Sequence, residues 1–226
     1  MKKLLTVAVV AAFAFPAASG ADTITSNLGP AGEFFCCSAI IGARGAGVGN
    51  IAAATPFVTP SFADWGLTEI DLGIESWGGV NSAIVRLTDS VGGFPGVTIA
   101  SWTLTGLPGL FGSAGLQPAQ AITGITGITL AANTEYWLAV IAGTPNSEIG
   151  WRQRATGPQN LKADSLDGGA TWSSYTLNAD VAFAVQGTPQ AIPEPSLALL
   201  LGAGLVGLKG FARRRVALAA RASATP

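Results

Sequence analysis

The sequence predicts an all-β body, an antiparallel β-sandwich or jelly roll, flanked by an N-terminal signal-peptide helix and a C-terminal transmembrane helix. Three observations carry this. The body is rich in Gly, Thr, Val, Ile and Trp and poor in Lys, Glu and Met, which is strand and turn chemistry. No stretch of it sustains a helical apolar period with caps. Short apolar runs recur between turn signals, as in a sandwich or barrel. With the two ends set aside, residues 22–188 remain, enough for one domain with a sizeable core.

The chain opens on a basic Met1-Lys2-Lys3, followed by an apolar stretch from Leu4 to Phe15 and small residues from Pro16 to Ala21. This is signal-peptide order, and cleavage after Ala21 sets Ser19 and Ala21 at the two positions that must be small. Residues 1–21 are therefore expected to engage the general secretion machinery and signal peptidase.

The strand expectations follow in order. Phe34 to Ile41 is apolar and opens the domain. Gly42 to Asn50 reads as a glycine-rich loop. Thr55 to Thr59, between Pro56 and Pro60, reads as an edge or a connection, because proline cannot donate to a ladder. Leu67 to Glu75 alternates, with Glu69, Asp71 and Glu75 on the polar side, as in one half-buried strand. Val80 to Leu87 follows the Gly78-Gly79 turn. Asp89 to Gly96 reads as a loop, and Val97 to Thr105 alternates again. Leu107 to Gln120 is a Gly- and Pro-rich loop. Ile122 to Leu130 carries repeated Ile-Thr units, then Ala131 to Asn133 turns into the dense apolar strand Tyr136 to Ile141. Ile149 to Arg154, Thr171 to Leu177 and Val181 to Gln186 complete the set, with an Asp167-Gly168-Gly169 turn.

Charge separates the body from its ends. Between Asp22 and Ala191 five bases face twelve acids, a net charge of minus seven, and the other seven bases lie at the termini. An acidic exported body with basic cytoplasmic ends fits the positive-inside bias. It argues against nucleic acid as a partner, since phosphate binding needs basic patches.

The C-terminal stretch has three parts in fixed order. Pro193-Glu194-Pro195 is a stiff acidic tripeptide. The largely apolar run from Ser196, extended through Ala212, is about 17 residues and spans roughly 26 Å as a helix, at the short end for a membrane span. Arg213, Arg214 and Arg215 form a membrane stop signal. This order resembles the sorting signal of PEP-CTERM proteins, exported proteins of exopolysaccharide-producing bacteria. The resemblance covers residues 192–215 and gives the segment 189–215 its assignment. It implies membrane anchoring through the C-terminal helix and processing near Pro193-Glu194-Pro195 by a membrane-embedded exosortase. Val216 to Pro226 extends beyond the family's usual end and is expected to be a cytoplasmic tail.

The middle of the chain resembles exported choice-of-anchor domains. The likeness lies in Val85-Arg86-Leu87-Thr88-Asp89, Phe94-Pro95-Gly96, Ile99-Ala100, the run from Leu130 to Leu138, and Trp151. It implies a β-sandwich displayed at the cell surface, with no established chemistry.

The residues that carry chemistry are few. The absence of histidine removes Ser-His-Asp and Cys-His catalysis and His-ligated metal. Cys36 and Cys37, the two cysteines, are too few for a zinc site. Three states stay open to them: small residues buried in a first strand, a strained disulfide between neighbours, or an intermolecular cross-link. Gly45-Ala46-Gly47-Val48-Gly49 lacks dinucleotide spacing and a following helix, so it reads as a loop. Glu69 and Asp71 share a strand face, either as a solvent face or as a carboxylate pair for glycoside hydrolysis. Asp164 and Asp167 read as turn residues, with calcium as the alternative. Of the six tryptophans, Trp151 and Trp172 are the candidates for stacking on sugar rings, while Trp102 and Trp137 read as core.

The expectation is thus a non-enzymatic exported protein of the cell surface or extracellular matrix, without cofactor or metal. It starts as an inner-membrane-anchored precursor with a periplasmic domain, is processed by an exosortase, and associates with exopolysaccharide. The alternatives are a surface carbohydrate-binding module and, more remotely, a secreted carboxylate-dependent hydrolase.

Overall fold

The computed structural model describes residues 20–29, 33–34, 38–43, 50–109, 117–153, 162–175 and 180–190. The Pro193-Glu194-Pro195 motif, the apolar helix, the arginine cluster and the tail lie outside the described residues. So do residues 1–19, Cys36, Cys37, the 45–49 glycine loop and Arg154.

The described residues form strands and turns and no helix. In chain order the strands are β1 (Asp22–Ser26), β2 (Glu33–Phe34), β3 (Ser38–Ala43), β4 (Asn50–Val58), β5 (Trp65–Leu72) and β6 (Ile74–Gly79). Next come β7 (Ser82–Val91), β8 (Phe94–Thr105), β9 (Gln117–Pro118), β10 (Gln120–Ile122) and β11 (Thr129–Leu130). The last are β12 (Glu135–Ala142), β13 (Ser147–Arg152), β14 (Lys162–Ser165), β15 (Ser173–Tyr175) and β16 (Phe183–Pro189).

They form two main sheets with antiparallel ladders. The first runs β1-β16-β5-β10, with β11 also on β5. The second runs β6-β13-β3-β4-β12-β7-β8, with β14 on β4 and β15 on β14. A short β2-β9 pair stands apart. One apolar cluster draws on both sheets: Trp65, Leu67, Ile70, Leu72 and Val185 from the first, Val85, Leu87, Leu138, Val140 and Trp151 from the second. Each such side chain, fully buried, contributes about 1.5–3 kcal/mol, so this shared layer is the main stabilising term.

β12 shows why its sequence is a dense apolar run. Tyr136, Leu138, Val140 and Ala142 face the shared core. Trp137 and Ala139 face away and meet Ala54 and Ala163, with Phe94 and Trp172 packed alongside. With both faces covered, the usual alternation disappears.

Several expectations are corrected. Thr55 to Thr59 is not a separate short piece but runs on from a longer β4; beyond Ala54 that strand pairs β12 alone, with Pro56 opposite Trp137, so it is an edge there as its prolines predict. The proline is tolerated because β14 pairs β4 only as far as Ala54, leaving no ladder for a residue-56 N–H to join. Leu67 to Glu75 is two strands, not one. The chain changes sheets at Gly73, whose N–H donates to the Ala182 carbonyl and whose carbonyl accepts from Arg152 N–H. The loop expected over Asp89 to Gly96 is a hairpin closed by two residues. Val91 pairs with Phe94, and Gly92 and Gly93 have φ of 62° and 79°, as a type I′ turn requires. Gly42 to Asn50 contains the end of β3 and the start of β4. Ile122 to Leu130 is not a continuous strand, because Gly124 and Gly127 take positive φ between β10 and β11. Ile149 to Arg154, Thr171 to Leu177 and Val181 to Gln186 meet β13, β15 and β16 with shifted ends.

Candidate functional site

Two buried ion pairs and a groove between the sheets gather the polar chemistry of the described residues. Lys162 and Asp164 alternate with Ala163 along β14. Ala163 belongs to the outer apolar cluster, so its neighbours share the inner face, and Asp164 stands opposite the core residue Ala53. Lys162 Nζ lies 3.8 Å from Asp180 Oδ1, and both side chains are 1 % exposed. Asp180 precedes β16 of the first sheet, so the pair bridges the two layers. Burial holds the Asp164 carboxyl above the ordinary aspartate range, against the opposing pull of the Lys162 charge.

Asp180 also lines a groove of about 360 Å³. Thr25, Ser26 and Asn27 form one wall, Pro56, Phe57 and Val58 another, and Glu135 and Phe183 complete it. Asn27 builds this wall by extending the β1-β16 ladder with its side chain. Its Nδ2 donates to Val181 O at 2.8 Å, and its Oδ1 accepts from Phe183 N at 2.7 Å. Glu135 is fixed by Ser90, whose hydroxyl donates to Oε1 at 2.5 Å and accepts from Trp137 Nε1 at 3.2 Å. The groove therefore brings two acids to one cleft, and each is already engaged by a neighbour.

The second ion pair is on the opposite face of its sheet. Ile74 and Trp151 point into the shared core, so Glu75 and Arg152 point away from it. Arg152 Nη2 donates to Glu75 Oε2 at 2.6 Å, and Trp77 Nε1 donates to Glu75 Oε1 at 2.5 Å. Glu75, expected on a solvent face, is fully buried.

The singled-out residues separate. Trp151 is fully buried, with Nε1 bonded to Ala182 O at 3.0 Å, so it presents no ring face to a sugar and its expected role is corrected. Trp172 is half-buried against the outer cluster. Trp137 is core, as expected, and Trp102 is partly buried against the core. Glu69 and Asp71 do share a face and lie half-buried, where Gln186 Nε2 donates to Asp71 Oδ2 at 2.8 Å and Glu69 Oε1 at 3.4 Å. Burial first, and the Asp71 charge second, push the Glu69 carboxyl up. Asp167 is occupied by its own turn: its oxygens accept from Ser165 and Thr171 hydroxyls and from Ala170 and Thr171 N–H groups. Those bonds hold its carboxyl well below the usual range. Among the described residues no group of three or more acids, cysteines or histidines converges as a metal site.

Sequence reasoning missed Lys162, Asp180, Glu135 and Arg152 as a polar framework. One signal was present. In a body with five bases, Arg152 and Lys162 each adjoin apolar strand residues, where a charge is retained only if paired. No family model matches the chain, and no curated protein matches it.

Proposed function

We propose that this is an exported, non-enzymatic surface or matrix protein, a β-sandwich of jelly-roll type carried as cargo to an exosortase. The observation that carries the reading is the ordered triple at the C-terminus: Pro193-Glu194-Pro195, an apolar helix, and Arg213 to Arg215. A signal peptide at residues 1–21 and a body of net negative charge support export, since both basic clusters then remain on the cytoplasmic side. The all-β body supports the likeness to choice-of-anchor domains at the level of fold class. In this reading the protein is held by its C-terminal helix, cut near the motif, and delivered to the cell surface or the exopolysaccharide.

Replacing Pro193, Glu194 and Pro195 by alanine is expected to leave a membrane-retained precursor with its C-terminus intact. Mass spectrometry of both protein ends in cell fractions reads this, and unaltered processing of the variant would end the sorting assignment.

A carbohydrate-binding role is a second reading, now favoured by the groove and not by Trp151. Hydroxyls of Thr25 and Ser26, the Glu135 carboxylate and the flank of Phe57 offer a polyol both hydrogen bonds and an apolar face. Calorimetric titration of the protein with exopolysaccharide fragments tests it, and loss of heat on Glu135→Gln is expected.

A further inference from the structure

We propose that Lys162 and Asp180 are the partners of an intramolecular isopeptide bond, an amide from the lysine Nζ to the aspartate side-chain carbonyl carbon, which staples one sheet to the other. The proposal is independent of the sorting reading. It rests on placement. The two groups come from different layers, lie 3.8 Å apart, and are both 1 % exposed. Lys162 is held on β14, and Asp180 adjoins the Gln153–Val181 bridge that leads into β16; this placement supplies orientation that a reaction in solution must find by chance. Phe57 and Phe183 stand with Asp180 at the groove. Amide formation requires a neutral amine and a neutral acid, and a proton passed within the pair supplies both.

The step balances without an oxidant or a reductant. A proton passes from the Lys162 ammonium to Asp180. The amine lone pair then attacks Asp180 Cγ and a C–N bond forms. The C–OH bond breaks, a proton lost from nitrogen joins the hydroxyl, and water leaves. Asp164 is placed to relay that proton: it shares the inner strand face with Lys162, feels its charge, and retains its own proton more readily than an ordinary aspartate. The groove that Asp180 lines gives the water an exit. The two cysteines are sequence neighbours, so no disulfide within the chain joins its sheets, and an amide at this position supplies the missing cross-link.

Intact-mass measurement on the full chain, purified from cells and denatured, tests this. The expected mass is about 18 Da below that of the sequence between the observed termini, the loss of one water. Trypsin should leave Lys162 uncut, and further cleavage by chymotrypsin after Trp172 or Tyr175 should leave the two pieces joined. Lys162→Arg should restore the full mass. A full sequence mass in the folded wild-type protein overturns the proposal, and this arm requires no variant to fold. A water loss carried by a linear peptide, or one that persists in Lys162→Arg, overturns it equally.

Discussion

At the scale of single residues, burial reassigns charges that look solvated in the sequence. Glu75 continues a polar alternation and so reads as surface, yet it is fully buried and bound by Arg152 and Trp77. Removing Arg152 takes a bonded positive charge away from a buried carboxylate. Arg152→Ala is therefore expected to lower stability by about 3–5 kcal/mol, a large share of the roughly 5–15 kcal/mol of a typical domain. Urea denaturation measures it, and a loss below about 1 kcal/mol, the value of an exposed pair, would contradict the buried assignment. Asp167 predicts a pH dependence. Its carboxyl is held below its ordinary value of 3.8 by hydroxyl and backbone donors. The stability it contributes is thus fully present above that ordinary value and is lost as pH falls through the lower folded one. Melting curves from pH 5 downward should show a loss in the wild type that Asp167→Asn lacks; parallel curves would refute it. Trp151 was legible as a special position and misread as a surface one, because a tryptophan next to arginines looks alike whether its ring faces sugar or core.

At the scale of elements, periodicity located strands better than it ended them. The alternation of Val97 to Thr105 corresponds to β8, where Trp102 and Leu104 pack on the core and Val97 and Ile99 stay exposed. The hairpin before it was hidden because Gly92-Gly93 and Pro95 read together as loop, whereas the glycines alone make the turn. Gly79 marks another tight place. It has φ 66°, and a Cβ there would lie 1.7 Å from the Asn146 carbonyl oxygen. Gly79→Ala is expected to cost more than the about 1–2 kcal/mol of left-handed backbone alone, since the clash is with backbone that cannot swing aside. A denaturation midpoint equal to wild type would show that the β6-β13 ladder yields more easily than its geometry implies.

At the scale of the whole molecule, both sheets lean on one shared apolar layer, and the small outer cluster around Trp137 only supplements it on the second sheet. Unfolding of the body is expected to be a single transition. Buried Trp65 sits in the first sheet and Trp137 and Trp151 in the second, so tryptophan fluorescence should report both. Its midpoint should coincide with that of far-ultraviolet circular dichroism; separated midpoints would mean that the layers come apart independently.

By itself the sequence determined the class of the body and the strands Tyr136 to Ile141 and Val97 to Thr105. Those depend on composition and on the two-residue repeat of a pleated chain, which are local properties. Only the tertiary structure decided that one alternating run divides between two sheets at Gly73, that Trp151 is core, and that Lys162 meets Asp180. Each of these is a contact between segments distant in sequence, and whether a polar or aromatic side chain faces water or a partner depends on what the rest of the chain lays over it.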